Sequence, residues 1–363
     1  MPRHDPPPEI VTLADARSAA RRARDWETAD RLKAEIEAAG WKVLDAASLY
    51  TLEPAAPPDV VEGGVVRYGS SASVPSRLEE SPVGTASVVI VAEDGVEPVA
   101  RTVRALVAGA PDGTQLVIVA PPSGSGAGHD PTSASPEAGD ALDALAAADP
   151  GAPGVMTEVV RTAVPLGYAA ALNAGTRRAA APLVIVVRAG VEPRGDLVGG
   201  IATALADPEV AVAGPVGLVT DDLRRFEVAP TGATALDAIA GVALGFRRED
   251  YVERGPFEEQ FTVPAFLDAW WSLVLRDLGE EDDLDAEPRR AVAIGGVTLD
   301  GVPDDALPGI SGPAGKPARK AFYRYLKDFA TRRDLLAGPA GDEVRARLRR
   351  LAGPAPEIPP DGA

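Results

Sequence analysis

Charged side chains follow two of the predicted strands of this chain, where they could bind a charged ligand. Glu93 and Asp94 come soon after the apolar run at residues 87–91, and Arg188 comes directly after the run at residues 183–187. An arginine guanidinium can hold a phosphate through two parallel hydrogen bonds. Arg188 therefore predicts either a contact to an anionic ligand or an ordinary surface arginine on a loop.

A carboxylate and two indoles stand close together further along the chain. Asp268 is followed by Trp270 and Trp271. A carboxylate can take the proton from an attacking hydroxyl group, but Asp is also a frequent N-cap, here for a helix predicted at residues 269–278. The two tryptophans could stack on a sugar ring, although large aromatic residues on a helix that covers a sheet are more often core.

These residues must be positioned by alternating strands and helices. Continuous apolar runs predict buried strands, and the segments between them carry apolar residues at helical spacing. Such alternation indicates an α/β fold with a mostly parallel sheet and helices on both faces, in which ligands bind beyond the carboxyl ends of the strands. The predicted strands are residues 87–91, 115–119, 158–160, 183–187 and 210–213, and the predicted helices are residues 99–108, 168–180 and 197–206.

The order of motifs between residues 87 and 279 resembles family-2 glycosyltransferases of the GT-A fold. LGYAAALNAG is similar to a helix start of that family, and GVALGFRREDYVERGPFEEQF is similar to a later segment of it. The resemblance implies a nucleotide-sugar donor, usually a divalent metal (Mn or Mg) held by an Asp-x-Asp pair, and one carboxylate base for the acceptor. It assigns Asp268 to catalysis, Ala92, Glu93, Asp94, Asn173, Arg188 and Glu192 to the nucleotide sugar, and Gly241, Trp270 and Trp271 to the acceptor side.

Several carboxylates that this resemblance requires are missing. Ala120 stands where the family places an Asp that contacts the base, and Gly190 aligns with the metal-binding Asp. Glu192 could offer one oxygen, but one carboxylate is not a magnesium or manganese site. We therefore expect no conventional metal site and either a divergent transferase or a pseudo-enzyme. The alternative is a non-catalytic binding or scaffold protein on the same fold.

The N-terminal segment predicts a small helical module. Residues 13–39 read as two helices that break near Asp25, an expected N-cap, and residues 41–44 read as a strand. The run ARRARDWETADRLKAEIEAAGWKVLD resembles the C-terminal helical module of cysteinyl-tRNA synthetases, but none of the synthetase catalytic motifs follow it. We interpret the hairpin as an element for packing or self-association, or for binding of a protein partner through residues 11–45, and the resemblance implies a tRNA- or synthetase-associated role as a further alternative.

Basic residues concentrate near the C-terminus, where residues 316–350 contain eleven Lys/Arg and four Asp/Glu. A basic amphipathic helix can lie on an anionic membrane, but we favour docking of Phe322, Leu326 and Phe329 on the acidic remainder of the chain. The expected organisation is a flexible lead (1–10), the helical module (11–52), a linker with one strand at 65–68 (53–86), the GT-A-like domain (87–300) with a loose insertion (121–153), a basic helical extension (301–350) and a flexible tail (351–363).

The composition excludes several kinds of site. The 363 residues carry a net charge of −18, which argues against broad nucleic-acid binding without a local basic surface. The chain has no Cys, so disulfides, thiol nucleophiles and Cys-ligated zinc are excluded. Its two histidines, His4 and His129, both lie in Pro/Gly-rich surroundings and do not predict a metal site or a catalytic triad. No apolar run reaches the roughly 18 residues of a membrane helix, and we expect a cytoplasmic protein.

Overall fold

The computed structural model describes residues 6–46, 49–93, 95–122, 154–278, 287–303, 306 and 315–352. The helices are α1 (Pro8–Ala23), α2 (Trp26–Ala38), α3 (Val96–Val107), α4 (Tyr168–Thr176), α5 (Leu197–Leu205), α6 (Arg248–Arg254), α7 (Leu267–Arg276), α8 (Gly315–Phe329) and α9 (Pro339–Ala352), with a 3-10 turn at Arg333–Leu335. The strands are β1 (Trp41–Ala46), β2 (Leu49–Pro54), β3 (Val60–Glu62), β4 (Val65–Tyr68), β5 (Ala86–Val91), β6 (Thr114–Ala120), β7 (Met156–Thr162), β8 (Leu183–Val187), β9 (Glu192–Arg194), β10 (Val210–Gly214), β11 (Gly217–Val219), β12 (Glu227–Val228), β13 (Ala238–Ile239), β14 (Ala243–Arg247), β15 (Arg290–Ala293) and β16 (Thr298–Asp300).

A nine-stranded sheet forms the centre of the molecule, in the order β15-β10-β14-β8-β5-β6-β7-β4-β3. Strands β8, β5, β6, β7 and β4 are parallel to their neighbours in this series, whereas β14 pairs antiparallel with both β8 and β10. Every residue of β5 and β6 is buried, as continuous apolar strands covered on both faces should be. The predicted α/β fold class with a mostly parallel sheet is confirmed.

The chain reverses its direction of travel across this sheet at β5. From β5 it proceeds outward to β6 and β7 on one side, and it then returns to place β8 on the other side of β5. In open parallel sheets such a reversal leaves a crevice beyond the carboxyl ends of the two strands, where ligands bind. That crevice lies beyond Val91 of β5 and Val187 of β8.

The segment interpreted as a linker contributes to the same sheet and core. Strand β4, predicted at residues 65–68, pairs with β7, and β3 pairs with β4 at the sheet edge. Val74 is fully buried in the main hydrophobic core. The buried Arg248 donates hydrogen bonds to the backbone carbonyl oxygens of Arg77 and Leu78. Residues 60–86 are therefore part of the folded domain, which corrects their interpretation as a connector.

The N-terminal residues form a helical hairpin followed by a β-hairpin with its own small core. Ile10, Ala14, Ile36 and Val43 are buried together in that core. The predicted N-cap is confirmed, because Asp25 Oδ1 accepts a hydrogen bond from the Thr28 N–H at 3.1 Å. Strand β2 was not predicted; it pairs antiparallel with β1 along its whole length.

The C-terminal helix α8 packs against the main domain. Its buried residues are Ala321, Tyr325 and Phe329, spaced four apart, while the predicted contact residues Phe322 and Leu326 are only half-buried. Tyr325 meets Phe226 edge to face with ring centroids 5.9 Å apart. Docking of α8 therefore occurs, with its buried face centred on Tyr325. In the parts of the chain that the structure describes, no helix combines the length and apolarity needed to cross a membrane.

Candidate functional site

The predicted crevice begins with the residues that follow β5 and β8. Ala92 is buried, and its N–H donates to the Val119 carbonyl oxygen at 2.9 Å, which ties the end of β5 to β6. Arg188 is half-buried, and its backbone N–H donates to the Val242 carbonyl oxygen at 3.1 Å. This bond holds Arg188 beside the residues that lead into β14. Asp94, predicted to bind the donor, lies outside the described residues.

Asp268 lies in the first turn of α7 and is held on both carboxylate oxygens. The Gly241 N–H donates to Oδ2 at 2.9 Å, and the Ala269 N–H donates to Oδ1 at 2.8 Å. A Cβ at residue 241 would lie 3.1 Å from the Asp268 Cβ, so glycine permits this close approach. The helix begins at Leu267 after Phe266, so Asp268 is not its N-cap, which corrects that alternative.

Burial and nearby charges shift the pKa values of Asp268 and Tyr168. Removal from water raises the pKa of Asp268 above its usual range, against the hydrogen bonds from Gly241 and Ala269 and the positive charge of Arg188. Burial also raises the pKa of the Tyr168 hydroxyl; the charges of Glu93 and Asp268 raise it further and that of Arg188 lowers it. The charges of Glu93, Arg188 and Asp268 thus all act on the Tyr168 hydroxyl.

Tyr168 was not among the residues that the sequence predicted for this site. It is the first residue of α4, and its N–H donates to the Thr262 carbonyl oxygen at 3.1 Å. This bond links the start of α4 to the segment that leads into α7, and so brings Tyr168 toward Asp268. The available signal was its position, since the tyrosine follows the glycine of LGYAAALNAG at the helix start.

Asn173, predicted to bind the donor, acts as a bridge inside the protein. It is 2% exposed. Its amide nitrogen donates to the Phe257 carbonyl oxygen and to Glu259 Oε1, and its amide oxygen accepts from the Tyr251 hydroxyl and the Phe257 N–H, all between 2.9 and 3.0 Å. These bonds use both donors and both acceptor positions of the amide. The structure therefore places Asn173 where it fastens α4 to residues 251–259.

Glu192 begins β9 and contacts two arginines. Its carboxylate lies 3.7 Å from Arg101 Nη1 and 3.6 Å from Arg194 Nη2. Together with Arg104, these three side chains line an open cavity of about 570 Å³ alongside α3. The cavity carries both signs of charge, and the carboxylate of Glu192 is balanced by its neighbours.

The two tryptophans predicted for the acceptor side are core residues. Trp271 is 0% exposed and packs with ring centroids 4.6 Å from Phe257 and 5.3 Å from Phe246. Trp270 is 8% exposed, and its indole N–H donates to Asp328 of α8 at 2.8 Å. Neither ring presents an open face to a sugar. Both tryptophans therefore fit the alternative interpretation, in which they belong to the hydrophobic core. Gly241 acts on the site through its contact with Asp268.

Comparisons with known proteins give one short sequence match and several structural similarities. No protein-family model matches the chain. A segment of 54 residues is 50% identical to a cysteine–tRNA ligase from Opitutus terrae, which covers 15% of this chain and 12% of that protein. Only this small part of a ligase is therefore represented here.

Solved structures that resemble the chain include GT-A glycosyltransferases. A mannosyltransferase from Pyrobaculum calidifontis in complex with GDP-Man and Mn²⁺ is 16% identical, with 79% of this chain and 81% of that chain covered and a TM-score of 0.44. GalNAc-T7 with UDP, GalNAc and Mn²⁺ is 14% identical (74% and 54% covered, TM-score 0.49), and S. aureus TarS is 12% identical (71% and 41% covered, TM-score 0.41). The chain spans about half the length of the last two. At these TM-scores the similarity identifies neither an activity nor site residues.

Proposed function

We propose that the crevice beyond β5 and β8 binds a nucleotide sugar, and that Asp268 serves as the base for transfer of the sugar to an acceptor hydroxyl group. The observation that supports this most is that the Arg188 N–H bonds to Val242 and the Asp268 carboxylate bonds to the adjacent Gly241, which places both residues at the sheet edge where the chain reverses after β5. A cationic side chain and a carboxylate base beside a crevice are the two groups that such a transfer needs.

Asp268 is suited to accept a proton. Its oxygens are oriented by the N–H groups of Gly241 and Ala269, and a carboxylate has lone pairs left after two such bonds. Its raised pKa makes it a stronger base than an exposed aspartate. As the acceptor hydroxyl attacks the sugar carbon, its proton passes to Asp268.

Arg188 is suited to stabilise the leaving group. Cleavage of the bond between the sugar carbon and the diphosphate oxygen leaves an additional negative charge on the diphosphate. A preorganised guanidinium placed near that oxygen stabilises the charge as it develops. Tyr168, which is 5% exposed, would help to position the sugar at this end of α4.

A non-catalytic binding role is the second candidate. It is favoured by Asn173, whose amide is engaged within the protein, and by Trp270 and Trp271, which are buried. In this role the crevice would hold a sugar nucleotide without transferring the sugar. The N-terminal module, residues 11–45, would then engage a protein partner, and its similarity to part of a cysteine–tRNA ligase supports association with a synthetase or tRNA as the other possibility.

Titration calorimetry and a donor-turnover assay with UDP- and GDP-sugars test these candidates. We expect saturable binding of one donor and measurable release of its nucleoside diphosphate. Asp268→Asn should keep donor binding but lose turnover by about 10²- to 10⁴-fold, the usual contribution of a positioned base. Glu209→Gln, which removes an exposed carboxylate before β10, is the control and should behave as wild type.

Each result separates the candidates. Binding without turnover would support the binding role and contradict sugar transfer. Turnover that survives Asp268→Asn would contradict the assignment of the base. An absence of binding by every UDP- and GDP-sugar would contradict both candidates.

A further inference from the structure

We propose that the crevice binds the diphosphate of its ligand without a divalent cation, and that the guanidinium of Arg188 supplies the positive charge. This inference rests on the proposed function and adds the chemistry by which the diphosphate is recognised. A divalent cation usually needs several oxygen ligands that converge on one point. The loop after β8, Arg188-Ala189-Gly190-Val191-Glu192, does not fit that requirement.

The first reason is the conformation of Gly190, the position aligned with the metal-binding Asp. Its φ is +89°, in the left-handed region that side-chain-bearing residues rarely adopt. Its N–H donates to the Thr102 hydroxyl at 2.9 Å and to the Pro98 carbonyl oxygen at 3.2 Å. The loop is thus fastened to α3, and the space where a side chain would begin lies 3.8 Å from the guanidinium of Arg101.

The second reason is the engagement of Glu192. Its two oxygens face Arg101 and Arg194, each in an ion pair below 4 Å. A cation bound to Glu192 would have to displace two guanidinium groups. Within the described ranges, which omit among others Asp94, residues 123–153 and residues 279–286, no three His, Asp or Glu side chains are grouped to hold a metal ion.

Arg188 itself occupies the position suited to a diphosphate. It follows β8 directly, and its backbone is fixed to Val242, next to the Gly241 that contacts Asp268. Arg188 is half-buried, so part of the residue is open to solvent. Its positive charge acts on both Asp268 and Tyr168. A guanidinium pairs with phosphate oxygens in two parallel bonds, which needs no metal.

Titration calorimetry of the full chain with UDP, GDP and inorganic pyrophosphate, each in EDTA and in Mn²⁺, tests the inference. We expect the dissociation constant of at least one of these anions to be the same within about twofold in the two buffers, a difference below about 0.4 kcal/mol. Arg188→Gln should weaken binding by about tenfold to a hundredfold, the loss expected for a hydrogen-bonded charge. Arg188→Lys keeps the positive charge but loses the paired N–H donors of the guanidinium, so its dissociation constant should lie between those of wild type and Arg188→Gln.

Arg104→Gln is the matched control, because Arg104 is an exposed arginine of α3 that lines the 570 Å³ cavity. It should leave the dissociation constant unchanged, and circular dichroism should show that each variant is folded. If Arg104→Gln weakens binding and Arg188→Gln does not, the diphosphate lies alongside α3 and the inference is wrong.

The two proposals fail in different ways. Binding that occurs only in Mn²⁺ would overturn metal-independent recognition and leave the nucleotide-sugar proposal standing. An absence of binding in both buffers would overturn both. Binding in EDTA that is unaffected by Arg188→Gln would overturn the role of Arg188.

Discussion

Restoring the carboxylate at residue 190 should destabilise the fold slightly and should not create a manganese site. The native Gly190 has a φ of +89°, and a Cβ there would meet Pro98 at 3.7 Å and Arg101 at 3.8 Å. These are ordinary van der Waals separations, so no steric clash is added. The cost of a side chain at this position is therefore the cost of its backbone conformation.

The expected change in the free energy of unfolding follows from this backbone cost and from the interaction of a new carboxylate with Arg101. A residue other than glycine pays about 1–2 kcal/mol in a left-handed conformation, so Gly190→Ala should lower the free energy of unfolding by this amount. Asp tolerates the conformation better than Ala, and its carboxylate would meet Arg101, whose side chain is 43% exposed. A partly exposed ion pair contributes about 0.2–1 kcal/mol, so Gly190→Asp should cost less than Gly190→Ala by about 1 kcal/mol.

Urea unfolding followed by tryptophan fluorescence measures both differences. Gly255 provides the matched control because its φ is also +89° and a Cβ there would have no neighbour within 4 Å. The difference between the Ala and Asp variants should be larger at residue 190 than at residue 255. High salt should remove the excess at residue 190, because it screens partly exposed charges.

A thermal-shift measurement with Mn²⁺ completes the test. Because the new carboxylate pairs with Arg101, the melting temperature of Gly190→Asp should not respond to Mn²⁺ more than that of wild type. A manganese-dependent rise in the variant alone would refute the reasoning, since it would show that the loop after β8 can present a metal-binding carboxylate.

Three further predictions concern the bridge, the docked helix and the base. Asn173→Ala should lower the free energy of unfolding by about 3–5 kcal/mol in urea, because four hydrogen bonds are lost at a net contribution of about 1 kcal/mol each. Asn173→Asp should cost at least as much, because its second carboxylate oxygen would face the Phe257 carbonyl oxygen and the Glu259 carboxylate to which the amide now donates; a clearly smaller cost would contradict this assignment. Tyr325→Phe should leave stability unchanged or raise it by up to about 1 kcal/mol, because the buried hydroxyl forms no hydrogen bond within the described residues, whereas Tyr325→Ala should cost about 3–5 kcal/mol in the same assay. If the chain transfers sugar, kcat/KM should fall as the pH drops through the pKa of Asp268, because the protonated acid cannot act as a base. Since burial raises that pKa, the midpoint of the fall should lie above the ordinary value of about 3.9. A pH profile that is unchanged in Asp268→Asn would exclude Asp268 as its source.

Local sequence patterns were sufficient for the parts of the fold that depend on local interactions. The continuous apolar runs at residues 87–91 and 183–187 predict β5 and β8, and with them the edge at which the crevice lies. Asp25 caps α2 through a bond to Thr28, only three residues away. Such features are determined within a few residues, and the sequence displays them directly.

Long-range contacts decided the features that the sequence did not reveal. Strand β14 is antiparallel between β8 and β10, and pairing across the chain rather than its own composition sets that direction. Asn173 looked like a donor-binding residue of the resembled family, but its partners lie more than 70 residues away. The Tyr168 N–H bonds to the carbonyl oxygen of Thr262, far along the chain, and this bond links the start of α4 to the segment before α7.

The attachment of residues 60–86 to the main domain determines where the chain can be shortened. Arg177 and Arg178 donate to the carbonyl oxygens of Val74 and Pro75, and the buried Arg248 depends on carbonyl groups of the same segment. A truncated chain that began at residue 87 would leave these guanidinium groups without their acceptors and would expose the pocket that Val74 fills. A truncated chain meant for crystallisation should therefore begin before residue 60, immediately after the β1–β2 hairpin.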